Sequence, residues 1–268
     1  MTWWCSAQGT VWSWAWQFYP GVWLLVSLLI GAYLRVLAGH RWVGGSPIER
    51  SRVTSYALGV LALWAAADWP LGPLGAGYLM SVHMVQWLLF TLVAPPLLIH
   101  GVPPRLLSNI VLSRSVRRPA RLLSRPLPAF AVFNSVLLAT HLPAVVDQLK
   151  PYQLGSFAMD MLWLGSGLLL WWQVLAPVKE LDPLPYAGRI VFLLANVFIP
   201  TVPAAFLTFA DYPIYELYEL APRIGELSAT RDQQIAGLVM KVGGGSMIFA
   251  TASVLFFRWY REEEAGER

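Results

Sequence analysis

The sequence contains little charge and almost no cysteine. Only 13% of its 268 residues are charged, whereas 57% are hydrophobic, and a soluble domain carries roughly 25% charged residues. Most of the protein's surface therefore cannot face water. The single cysteine, Cys5, excludes an internal disulfide and a Cys-x-x-Cys motif. Glycine-rich phosphate loops and nucleophile elbows are also missing, so the sequence supports neither a hydrolase nor a nucleotide-driven pump, and we expect no enzymatic activity.

Long apolar stretches fill the chain instead. A transmembrane helix needs about 20 mostly apolar residues, and seven stretches are close to that length. They span residues 18–38, 53–69, 77–100, 127–146, 154–176, 187–209 and 235–259. The sequence thus predicts an all-α, polytopic membrane protein with a bundle of about seven transmembrane helices at 18–259. A Trp-rich interfacial segment (1–17) precedes this bundle and a charged tail (260–268) follows it.

Basic residues alternate between the two sides of this predicted bundle. Fifteen of the 19 Lys and Arg residues lie in the connections after the first, third and fifth helices, in the tail, or at the helix ends next to them. Only Lys150, Arg223, Arg231 and Lys241 lie on the other side. Cytoplasmic loops carry the excess of Lys and Arg, so the pattern predicts an outer N-terminus and a cytoplasmic C-terminus. It also explains the net charge of +4 without nucleic acid, and it suggests contact with anionic membrane lipid.

The predicted outer side has two distinctive segments. Five tryptophans, whose rings prefer the membrane interface, crowd the N-terminal segment: Trp3, Trp4, Trp12, Trp14 and Trp16. They anchor the segment at the outer surface or cover a ligand or partner helix. The loop 211–234 is acidic and long enough for a short surface helix. At its end, Asp232 is expected to cap the last helix or to line a site.

Ionisable groups inside predicted helices are costly and are therefore functional candidates, and three of them stand out. His83, His141 and Asp160 belong to three different helices and share a similar depth near the predicted outer side. Met80 and Met84 flank His83 at helical spacing, on one face. Imidazole and thioether together suit copper(I). The plainer alternative is that the methionines fill gaps and that each histidine bonds to a neighbouring helix.

Several motifs occur in a characteristic order along these predicted helices. They are YLMSVHMVQ at 78–86, APPLL at 94–98, GVP at 101–103, THLP at 140–143, GLLLWW at 167–172 and DQQIAGLVM at 232–240. Together they resemble the CtaG family of cytochrome c oxidase assembly factors. The resemblance implies a seven-helix protein of the bacterial cytoplasmic (inner) membrane that helps to mature the copper centre of a terminal oxidase. It also implies that histidines near the outer face bind the metal. Together with the spacing of the methionines, this predicts copper as the cofactor, with His83, His141, Met80, Met84 and Asp160 as metal ligands.

The sequence departs from the family pattern at several positions. Trp87 stands where the family has a histidine, Ser156 and Asp160 align with two further histidines, and Lys241 replaces an aromatic residue. These departures keep a second hypothesis open, in which the family's metal site has been lost. The protein would then be a structural accessory subunit of a larger respiratory or photosynthetic membrane complex. Its partners would be the subunits of that complex and the surrounding lipid.

Overall fold

A computed structural model describes residues 2–42, 48–181 and 184–266, with side chains left out at 40–42 and 266. All regular structure within these ranges is helical. The predicted cytoplasmic charges on Arg41 and Arg268 lie outside the described side chains. The helices are α1 Pro20–Trp42, α2 Arg50–Ala67, α3 Leu71–Gly77, α4 Met80–Gly101, α5 Pro104–Val111, α6 Arg117–Leu123, α7 Pro126–Thr140, α8 Pro143–Leu149, α9 Gln153–Leu175, α10 Tyr186–Phe209, α11 Glu216–Glu219 and α12 Ala229–Ala265.

Five of these helices are long and apolar enough to cross a membrane: α1, α4, α9, α10 and α12. Two bent pairs, α2 with α3 (46°) and α6 with α7 (79°), also qualify if each pair is one span. The described residues therefore supply five to seven spans, and the predicted count of about seven is the upper limit. The all-α, polytopic membrane fold is confirmed.

The predicted fourth helix, 127–146, is wrong in its boundaries. Helix α7 ends at Thr140, and the separate helix α8 begins at Pro143. Proline suits the first turn of a helix and disfavours helical geometry in the residue before it, and Leu142 is indeed extended (φ −69°, ψ 131°). His141 consequently lies at a break between two helices rather than within one.

Pro95 and Pro96 lie inside α4 and do not end it. The helix continues to Gly101 through a π-helical turn at Leu89–Val93. Because Pro95 has no N–H, the Thr91 carbonyl loses its helical donor, and Trp171 Nε1 of α9 donates to it instead at 3.0 Å. Trp171 is only 4% exposed, so its indole lies in the core between α4 and α9.

Helix α4 is the centre of the bundle, because 67% of the residues in its apolar, membrane-spanning stretch are buried. In α1, at the edge of the bundle, the share is 11%. Around α4 pack α2, α9 and α12. At one end of the bundle Arg52, Arg105, Lys179 and Arg258 come together, and we name this end the basic face. The other end, the tryptophan face, carries the N-terminal segment 2–19 and the loop 210–228. The positive-inside prediction assigns the basic face to the cytoplasm.

Candidate functional site

An aspartate from another helix fixes the start of α4 on the tryptophan face. The Asp232 carboxylate of α12 accepts from the backbone N–H of Met80 at 2.5 Å and of Ser81 at 3.2 Å, and from the Ser81 hydroxyl. These amides have no partner within α4, so the contact is an N-cap supplied in trans. The expectation that Asp232 caps its own helix is wrong, because Ser228 does so by accepting from Arg231 N–H at 3.3 Å. The cap holds the first turn of α4, and with it His83.

His83 is completely buried in an aromatic environment. Its ring lies 5.0 Å from that of Trp163 and 5.8 Å from that of Tyr218, measured between centroids. The Tyr218 hydroxyl donates to the Gly75 carbonyl at 2.6 Å. Among the described residues neither ring nitrogen of His83 has a hydrogen-bond partner of acceptable geometry. A buried imidazole with two orphaned nitrogens is unusual, since buried polar groups are nearly always bonded.

His141 is buried as well, but one of its nitrogens is fixed. Nδ1 lies 2.7 Å from the Leu137 carbonyl, and because a carbonyl only accepts, Nδ1 must carry the proton. The lone pair then sits on Nε2, which has no partner in the part of the chain that the structure describes. The Tyr215 hydroxyl donates to the His141 carbonyl at 2.7 Å, and the Trp87 ring packs edge-on against the imidazole at 5.7 Å.

Aromatic side chains pack around both histidines and link their surroundings. Trp163 packs on His83, and its Nε1 donates to the Thr140 hydroxyl, beside His141, at 2.9 Å. We name this group of side chains the histidine chamber. Its residues are His83, Trp87, His141, Trp163, Tyr215 and Tyr218.

The two chamber tyrosines come from the loop that follows α10. Burial raises the pKa of Tyr215 and Tyr218 above the ordinary tyrosine value, so both hydroxyls remain donors. The predicted short helix in this loop is α11, whose first amides, those of Glu216 and Leu217, donate to the Asp147 carboxylate at 3.3 and 3.1 Å. The loop thus covers the chamber from the tryptophan face. Sequence reasoning saw the loop's acidity but missed its two inward tyrosines, although their i, i+3 spacing was a usable signal.

The two candidate methionines belong to the core beside the chamber. Met80 and Met84 lie on the same helix as His83, and both are essentially buried. Their thioethers are weak acceptors that need no hydrogen bond when buried.

Asp160 is occupied by protein partners. Its Oδ1 is 3.2 Å from the Nζ of Lys150, and its Oδ2 accepts from Trp4 Nε1 at 2.9 Å. The ammonium of Lys150 also donates to the Ser156 hydroxyl at 3.3 Å and lies 4.8 Å from the centroid of the Trp163 ring. Both positions that align with family histidines, Ser156 and Asp160, thus contact one lysine. The sequence reading placed Lys150 among the outer charges and missed its burial.

The N-terminal segment closes the same region from the tryptophan face. Trp4 is fully buried, whereas Trp14 and Trp16 are exposed. The Ala7 N–H donates to the Lys150 carbonyl at 3.2 Å. The segment therefore combines an exposed aromatic surface with one anchor that reaches the buried ion pair.

Comparisons with known proteins agree with the motifs. The model of one protein family, the cytochrome c oxidase caa3 assembly factors (Caa3_CtaG), matches residues 31–262. An uncharacterized protein of Mycobacterium bovis and one of Mycobacterium tuberculosis are each 26% identical over 196 residues, which cover 65% of this chain. The chain spans only 29% of the length of these curated relatives. No solved structure matches the chain. Because the family match includes every chamber residue and most of the sequence, this multi-pass membrane protein belongs to the caa3-type cytochrome c oxidase assembly factor family.

Proposed function

We propose that this protein helps to mature the copper centre of a terminal cytochrome oxidase in the bacterial inner membrane by holding copper(I) in the histidine chamber. Membership of a family of oxidase assembly factors supports the assembly role. The observation that carries the copper part is the set of orphaned imidazole nitrogens on His83 and His141. A buried nitrogen lone pair without a proton donor is stabilised by a metal ion.

The arrangement of His141 fits a metal ligand. A metal-bound histidine almost always donates its other ring N–H to a carboxylate, carbonyl or water, which fixes the tautomer and the ring. In His141, Nδ1 donates its proton to the Leu137 carbonyl, which leaves Nε2 free to bind a metal ion. His83 would supply a second nitrogen, and Met80 or Met84 a thioether. Copper(I) bound in such a site would be the cargo that is delivered to the oxidase, and it would catalyse no reaction in this protein.

The donor set selects the kind of ion. Asp160, whose carboxylate is bonded to Lys150 and Trp4, is left out of the proposed ligand set. Within the described residues, no three His, Cys, Asp or Glu side chains lie close enough to share an ion. Two imidazoles with thioethers are a soft set that favours copper(I) over harder divalent ions.

The test is a copper(I) titration of the purified protein against a chromophoric copper(I) chelator. We expect wild-type protein to hold about one copper(I), and His83→Ala and His141→Ala to lose it. His100→Ala is the matched control, because His100 is exposed at the other end of α4 and its loss should leave binding unchanged.

The same variants should be placed in a strain from which the gene has been deleted. Oxidase copper content should fall in the deletion strain, return with His100→Ala and fail to return with His83→Ala. Wild-type protein that binds no copper, yet co-purifies at a fixed ratio with subunits of a membrane complex, would contradict the proposal. That result would identify a structural accessory subunit.

A further inference from the structure

A second cavity opens at the opposite end of the bundle, far along α4 from the histidine chamber. It has a volume of about 640 Å³, which lies within the ~300–1,000 Å³ range of small-molecule sites. It is bounded by the end of α4 and the start of α5, by the segment after α9, and by α2 and α12. None of the chamber residues lines it.

Four cations from four separate chain segments line this cavity. They are Arg52 of α2, Arg105 of α5, Lys179 after α9 and Arg258 of α12. Glu180 is the single carboxylate in the lining. In the described part of the chain, no carboxylate forms an ion pair with Arg105, Lys179 or Arg258 within 4.0 Å. The cavity therefore has an uncompensated positive charge.

One of the cations is oriented by the backbone. Arg52 Nη1 donates to the His100 carbonyl at 2.9 Å, which fixes the guanidinium at the cavity wall. Its pairing with Glu49, at 4.0 Å, involves an exposed carboxylate and contributes little. An arginine held in this way presents its remaining N–H groups as a planar fork that suits phosphate oxygens.

The other wall of the cavity is apolar. Ile99, Val102, Leu175 and Pro177 line it, at the ends of two membrane-spanning helices. A ligand that satisfies both walls has an anionic head and a hydrocarbon chain. Positive-inside sequence bias requires basic loops, but it does not require cations from four segments to surround one cavity. Arg114, in the connection between α5 and α6, does not line the cavity.

We propose that this cavity binds the phosphate group of an anionic phospholipid, whose acyl chains leave along the apolar wall. Arg105 and Arg258 contact the phosphate oxygens, and Arg52 and Lys179 supply further charge. Basic pockets between transmembrane helices on the cytoplasmic side are suited to such head groups. The assignment does not depend on copper in the histidine chamber.

The experiment is native mass spectrometry of the full-length protein released from nanodiscs that contain phosphatidylcholine with a minor fraction of cardiolipin or phosphatidylglycerol. Wild-type protein should retain one anionic phospholipid. If each cation that lines the cavity contributes about 1 kcal/mol to attraction of the bound anionic lipid, Arg105→Gln with Arg258→Gln should weaken retention roughly 30-fold. The single variant Lys179→Gln, at an exposed position, should weaken it about fivefold.

Arg114→Gln is the control, since it removes an equal charge from the same loop outside the cavity. Its lipid retention should match that of wild type, and an equal loss in Arg114→Gln and Arg105→Gln would overturn the proposal. A second arm adds inorganic phosphate during release from the nanodisc. Displacement of the lipid by millimolar phosphate would assign the site to a soluble anion and overturn the lipid assignment, whereas retained lipid supports it.

Discussion

Replacement of Lys150 by methionine tests the buried ion pair between Lys150 and Asp160. The same carboxylate also accepts a hydrogen bond from Trp4 of the N-terminal segment. Lys150 is completely buried and Asp160 is 2% exposed. Methionine keeps the length of the side chain but removes the ammonium, so the carboxylate loses its only charged partner. The Trp4 indole would remain as its one hydrogen-bond donor.

The expected cost follows from this burial. A buried ion pair that loses one partner destabilises a protein by about 3–5 kcal/mol, because the remaining charge is left uncompensated. The free energy of unfolding can be measured by reversible unfolding in mixed micelles of a mild detergent and dodecyl sulfate. Arg231→Met is the control, because Arg231 is an exposed cation on the same face and should change stability by no more than about 0.5 kcal/mol.

A double-mutant cycle separates the pair from the rest of its surroundings. Asp160→Asn removes the charge but keeps an oxygen that can accept from Trp4. The variant Lys150→Met with Asp160→Asn should therefore be more stable than the sum of the single losses predicts, by at least about 1 kcal/mol. A Lys150→Met variant as stable as the Arg231→Met control would refute the view that this ion pair organises the chamber.

Three further substitutions test contacts that position the site. Asp232→Ala removes the cap on α4 and should cost about 0.5–2 kcal/mol of unfolding free energy in the same micelle assay. Gly75→Ala should cost about 1–3 kcal/mol through overpacking, because the added methyl group overlaps Gln86 Oε1; Gly245→Ala, with open space at this position, should be neutral. Trp4→Phe removes the indole donor to the buried carboxylate, so limited proteolysis should cleave the N-terminal segment faster than in wild type.

The helices were readable from the sequence, whereas their interruptions were not. Apolar stretches of about 20 residues are a local signal, and they located the long spans within a few residues. The continuation of α4 through its two prolines had no local signal, because the donor that replaces the lost helical bond, Trp171, lies 80 residues further along the chain. The break at His141, in contrast, has a local signal in Pro143. The prediction missed it because the apolar stretch continues across the break.

The sequence predicted which residues belong to the site but not which of them contact one another. His83, His141 and Asp160 were identified because titratable groups are rare in membrane-spanning segments. Asp160 looked like a free ligand because its partner, Lys150, appeared to belong to a surface turn. That turn places the ammonium beside α9, an arrangement that depends on the three-dimensional path of α8 and α9. Pairings of this kind depend on tertiary structure, so sequence spacing alone cannot give them.

The buried lysine also determines what the histidine chamber can hold. Lys150 and Asp160 neutralise each other, so with neutral histidines the chamber has no excess negative charge to offset a bound cation. In a dry interior an uncompensated charge is costly, and its self-energy rises with the square of the charge, so a divalent ion is penalised far more than a monovalent one. Where a third histidine ligand would increase affinity, the chain instead has Trp87, whose ring packs against His141. In the proposed function, copper(I) would therefore be held by few ligands and would be released readily to the oxidase.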